Sequence, residues 1–96
     1  MTLQLCVLLW AAEGQEDALT DYENTVLALM PRHGGRVVSR VRRVDGGEGP
    51  LEVQLIHLPH ASALDAYMAD PERLALASAH KSAVARTEVF QTESLL

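Results

Sequence analysis

Residues Leu3 to Trp10 are almost wholly apolar, the pattern of a strand covered on both faces. The odd positions Leu3, Leu5, Val7 and Leu9 form its greasier side. Gln4, Cys6, Leu8 and Trp10 form a mixed second side. Glu13, Glu16 and Asp17 follow, where a helix N-terminus favours negative charge. Leu19, Tyr22, Val26, Leu29 and His33 then recur at three- and four-residue spacing, which is one face of a helix. Pro31 removes a backbone donor and weakens the last turn, and Gly34-Gly35 ends it.

Arg36 to Val44 reads as a second strand. Val37, Ser39 and Val41 face one way, and Arg36, Val38, Arg40 and Arg42 the other. The turn cluster Gly46-Gly47-Glu48-Gly49-Pro50 makes this strand lead by a hairpin into a third, Leu51 to Leu58. There Leu51, Val53, Leu55 and His57 share a side, opposite Glu52, Gln54, Ile56 and Leu58. Matching apolar sides places Arg40 and Arg42 on the sheet face of Glu52 and Gln54.

After Pro59, Ser62 opens a helical segment, with Asp65 three residues on in capping-box spacing. Leu64, Tyr67 and Met68 give it a short apolar face. Asp70-Pro71-Glu72 restarts the helix, Asp70 as cap and Pro71 at the first helical position. Leu74, Leu76, Ala77, His80, Ala83 and Val84 continue that pattern, and Glu88 to Thr92 forms a last strand. The order β-α-β-β-α-β with right-handed crossovers predicts an α+β, ferredoxin-like fold: a four-stranded antiparallel sheet with its helices on one face. The other face is expected to carry Gln4, Cys6, Leu8, Trp10, Ile56, Leu58 and Phe90. Left open, that face is a large apolar patch. A second copy of the chain, sheet against sheet, is its simplest cover, so a homodimer is expected.

Composition narrows the function classes. A chain of 96 residues is expected to be one domain, residues 1–96. The formal net charge of −5 argues against general nucleic-acid binding, which needs a basic face for phosphates. The single Cys6 excludes an internal disulfide and fits a reducing, cytoplasmic setting. The apolar N-terminal stretch has no basic flank or cleavage pattern and is too short to span a membrane, so no membrane association is expected.

Two segments carry a resemblance: the helix end with Gly34-Gly35-Arg36 and the strand after it, and Val53 to Leu76. In the latter an apolar strand meets Pro59 and continues to Ala66-Tyr67-Met68 and Asp70-Pro71-Glu72. There the chain resembles the dimeric α+β barrel superfamily, and within it most resembles a short family catalogued as domain of unknown function 1330. That family usually has Trp-Tyr where this chain has Tyr67-Met68. The resemblance implies a βαββαβ fold and a barrel-like dimer. The wider superfamily holds small monooxygenases, haem-degrading oxygenases, lactone isomerases and proteins with no known reaction, and fold alone does not select among them.

His57, ending an aliphatic strand face, is the candidate general base or ligand contact at the mouth of a cleft between sheet and helices. Its alternative is a histidine satisfied by a backbone carbonyl. Arg40 and Arg42, on the interface side, are candidates to hold an anionic ligand, or else pair with Glu52, Glu88 or a partner subunit. Trp10, with Phe90, is a stacking surface for a planar ligand or part of a dimer core. Tyr22 and Tyr67 offer hydroxyls to a cleft or simply pack. His33, His57, His60 and His80 lack metal-ligand spacing, and no phosphate loop, nucleophile arrangement or cofactor motif is present. The expected protein is a small cytoplasmic homodimer that binds a small molecule without a cofactor or metal, or simply serves an accessory role. The alternative is a cofactor-free monooxygenase or isomerase acting on a small aromatic or polyketide-like compound.

Overall fold

The computed structural model describes residues 2–96. Along them run β1 (Leu3–Ala11), α1 (Glu16–Leu27), a 3-10 turn (Met30–His33), β2 (Arg36–Arg42) and β3 (Glu52–Leu58). Then come α2 (Ala61–Met68), α3 (Pro71–Leu74), α4 (Ala77–Ala83) and β4 (Val84–Gln91). The sheet order is β2-β3-β1-β4 with every neighbouring pair antiparallel, which is the ferredoxin-like arrangement.

Pro31 does interrupt the first helix: α1 stops at Leu27 and the chain tightens into the 3-10 turn around it. Gly34 closes that turn at φ 77, the left-handed conformation that glycine adopts without strain. Gly35 is needed for closeness instead. A Cβ there would sit 2.5 Å from Met30 Cγ and 2.7 Å from Leu58 Cδ2.

Three local expectations change. The α2 cap is His60, not Ser62: His60 Nδ1 accepts from the Ala63 amide at 3.1 Å, and Ser62 Oγ lies 2.7 Å from the same nitrogen. Asp70 caps α3 as expected, accepting from the Glu72 amide at 2.9 Å, but this helix lasts one turn before α4 takes over. The last strand begins at Val84 rather than Glu88, because Val84 leaves the helix for an extended conformation and pairs with Ala11.

The sidedness of β3 is the main correction. Leu5 pairs with Ile56, Val7 with Gln54 and Leu9 with Glu52, so β3's even positions share the face of β1's greasy positions. That face packs under the helices, against Leu19, Val26 and Tyr67. Ile56 and Leu58 therefore belong to the core and not to the open face, where Val53, Leu55 and His57 stand instead. Arg40 pairs with Gln54 and Arg42 with Glu52, so the arginines do share their face as expected, but it is the helix-covered face. A register shift between Val37 and Ser39 breaks the alternation of β2. Val37 lies opposite Ile56, while Ser39 and Val41 lie opposite Leu55 and Val53.

Candidate functional site

The site grows from α1. The stripe that buries Leu19, Tyr22 and Val26 also turns Glu23 inward, leaving it only 6% exposed. Gln54 of β3 meets it, donating from Nε2 to Glu23 Oε1 at 2.8 Å and to Glu52 Oε1 at 3.2 Å. Glu52, 1% exposed, is held in turn by a two-pronged clamp from Arg40: Nε to Oε1 at 2.7 Å and Nη2 to Oε2 at 2.9 Å. The Thr20 hydroxyl donates to Glu52 Oε2 at 2.9 Å. Arg40 also reaches the Asn24 Oδ1 and the Thr20 carbonyl, and Arg42 donates to Asp17 and Thr20. Both arginines are thus committed to the protein's own acceptors.

Inward from this network lies a cleft of about 100 Å³ between the helix-covered sheet face and the helices. Val7, Leu9, Val26, Leu27, Met30 and Ile56 supply its aliphatic lining. Glu23 and Gln54 enter from one side, and Tyr67 of α2, Arg73 of α3 and His80 of α4 from the other. It opens outward past Met68, Arg73, His80 and Thr87 into a wider mouth of about 310 Å³ that also touches Tyr22. Tyr22 leans on His80 with ring centroids 5.3 Å apart. The Tyr67 hydroxyl donates to the Val26 carbonyl at 3.0 Å, and the Arg73 guanidinium carbon lies 5.2 Å from the Tyr67 ring centre. Arg73 Nε is buried with no hydrogen-bond partner, and Arg73 forms no ion pair with any described residue.

Burial sets the charge states here. It pushes the Glu23 carboxyl above the usual carboxylate value, with the Gln54 hydrogen bond opposing and the Glu52 charge adding to the rise. Burial pushes His80 the other way, below its ordinary value, and the Arg73 charge adds to that fall. Tyr22 and Tyr67 are both raised by burial, against the pull of Arg73. Burial also penalises the Glu52 charge, but hydrogen bonds from Arg40, Gln54 and Thr20 outweigh it and hold that carboxyl below its usual value. Glu23 is thus biased toward its acid form and His80 toward its neutral, proton-accepting form. Opposed shifts of this kind suit one cleft to donate and accept protons.

Of the residues singled out from the sequence, Tyr22 and Tyr67 belong to this cleft. His57 does not: it pairs with Gln4 and Arg36 on the opposite sheet face, beside Gln91, Thr92 and Glu93. The sheet separates it from both tyrosines. Trp10 is also on that far side, under Arg86, whose guanidinium carbon is 4.4 Å from its ring centre. Phe90 lies opposite Cys6, two same-face positions along from Trp10, so the expected aromatic pair is not adjacent.

Glu23, Gln54, Arg73 and His80 escaped the sequence reading as site residues. Glu23 left a trace, four residues after Leu19 and three before Val26 on the apolar stripe, and His80 stood on the apolar pattern of the last helix.

No protein-family model matches this chain, and no curated protein sequence does either. Solved structures do match. PA3566 from Pseudomonas aeruginosa superimposes with a TM-score of 0.75 at 17% identity, over 99% of this chain and 95% of that one. A dimeric protein of unknown function and ferredoxin-like fold from Bacteroides fragilis gives 0.72 at 11% identity, over 97% and 96%. SnoaB, a cofactor-independent oxygenase from Streptomyces nogalater, gives 0.71 at 14% identity, over 99% and 96%. At these identities the likeness establishes the shared fold.

Proposed function

We propose that this protein binds a small organic molecule in the cleft between its sheet and helices, and does so as a homodimer joined through the open sheet face. The observation that carries the first part is the convergence of Glu23, Gln54, Arg73 and His80 on an otherwise aliphatic cavity, the usual composition of a ligand site. What supports the second is the face left uncovered in the single chain. Phe90 is 45% exposed and Val41 57%, beside Leu8, Trp10, Val53 and Leu55. In this reading Tyr22 and Tyr67 line the ligand cleft, Trp10 and His57 lie at the dimer seam, and Arg40 and Arg42 fix the acidic network. A place in the family of domain of unknown function 1330 is part of this proposal only, since no family model matches the chain, and it adds no activity.

A catalytic reading stands second, favoured by the opposed shifts of Glu23 and His80 in one cleft. It would make the protein a cofactor-free monooxygenase or isomerase of a small aromatic or polyketide-like compound; SnoaB, which shares the fold, is a cofactor-independent oxygenase.

Ligand-detected NMR with benzamide tests the cleft. Magnetisation transfer is expected for the wild type and lost in Met68→Trp, which fills the mouth from a half-exposed position. Equal transfer in both proteins would put the ligand elsewhere.

A further inference from the structure

The geometry points to Arg73 as an anion-binding residue: the cleft ligand is a small monoanion, a carboxylate or an enolate-like oxygen on an apolar body, with that oxygen on the Arg73 guanidinium. This rests on the reading of the cleft as a ligand site and names what the site selects.

Of the other arginines, Arg36 stands exposed on the far sheet face opposite His57, away from the cleft, and the rest are spent. Arg40 is clamped to Glu52, Arg42 to Asp17 and Arg43 to Asp45, and Arg32 meets Asp70 and Glu72. Arg86 pairs with Glu88. Among the described residues, Arg73 stands where the inner cavity meets its mouth with no anionic partner, and its Nε is buried with no acceptor. A buried donor of a charged group without a partner is costly, and the Tyr67 ring and hydroxyl beside Arg73 offset part of that cost. An oxygen anion entering past Met68 would meet the rest of the guanidinium, where Arg73 borders the cleft and its mouth. Nearby Glu23 does not close that valence: its observed hydrogen bond is to Gln54, and burial favours its uncharged form.

The size and lining of the cleft set the rest of the ligand. An inner volume of about 100 Å³ walled by Val7, Leu9, Val26 and Ile56 takes an apolar body of a few carbon atoms or one ring. A charge-assisted hydrogen bond to a partly buried guanidinium favours an anion over its neutral isostere by roughly tenfold or more.

Isothermal titration with benzoate and with its neutral isostere benzamide tests this. Wild-type protein is expected to bind benzoate at least about tenfold more tightly. Arg73→Gln should remove that preference while leaving benzamide binding in place, and Arg73→Lys, which keeps a charge but loses the planar fork, should retain part of it. Thermal melting of each variant confirms that it is folded. Equal binding of the two compounds by the wild type, blocked by Met68→Trp, would overturn the anion assignment while the cleft reading stood. A preference for benzoate that survives Arg73→Gln would overturn it equally. If neither compound bound, both the assignment and the cleft reading would fail.

Discussion

Gln54 gives one N–H to Glu23 at 2.8 Å and another to Glu52 at 3.2 Å, joining two buried carboxyls of opposite tendency. Glu52 is held ionised by Arg40, while Glu23, one amide further in, is pushed toward its acid form by burial. The amide thus marks the border between a structural ion pair and the cleft.

That border has a pH signature. Glu23 has a raised folded value, so its ionisation costs stability once pH exceeds the unfolded carboxyl value of about 4.3. The cost grows until the folded value is passed. Glu23→Gln keeps an acceptor for Gln54 and removes the ionisation. Its stability relative to wild type is therefore expected to rise from about pH 4.3 up through the raised folded value, and to be flat below that window and above it. Urea unfolding across that range measures it. A difference that does not change with pH would refute the shift.

Arg40→Ala leaves the Glu52 carboxylate buried without its clamp. Arg40 itself is a quarter exposed, which softens the loss, so roughly 2–3 kcal/mol of destabilisation is expected at neutral pH. Because the Glu52 value is depressed, the loss should shrink as pH falls through that depressed value, where the wild type also loses the pair. Chemical denaturation of both proteins at neutral and acid pH reads the difference; an unchanged midpoint would contradict the clamp.

Gly35→Ala forces a methyl group against Met30 and Leu58, two fully buried side chains. Overpacking of this kind costs about 1–3 kcal/mol. The expected result is a lower thermal midpoint with the same sheet content by circular dichroism. A wild-type midpoint would show that Met30 swings aside freely.

Trp10→Ala, on the open face, should weaken the proposed dimer by roughly 1–3 kcal/mol without unfolding the chain. Sedimentation equilibrium gives the dissociation constant, and an unchanged constant would remove Trp10 from the seam.

The fold was legible because β1 is a continuous apolar run, a glycine-rich turn joins the two strands of the hairpin, and the punctuation at Pro31, Gly34 and Asp70-Pro71 is unambiguous. The orientation of β3 was not. Both of its faces are apolar beyond Gln54, and Glu52 and Gln54 look like solvent-facing residues although the Arg40 clamp and Glu23 bury them. The shift in β2 at Val37 was hidden for a related reason: valines stand on either side of it, so the hydrophobic pattern reads the same in two registers. Inverting β3 put His57 in the wrong compartment. Arg73 and His80 became site residues only when α3 and α4 were placed beside α1, a tertiary relation that spacing along one helix does not encode.

The most direct test of the cleft is a chemical-shift map of the backbone amides during titration with benzoate. The account predicts perturbations concentrated at Glu23, Gln54, Tyr67, Arg73 and His80, with His57 and Gln91 on the far face unmoved. Perturbations clustered around His57 and Gln91 instead would contradict it and place the ligand on the other side of the sheet.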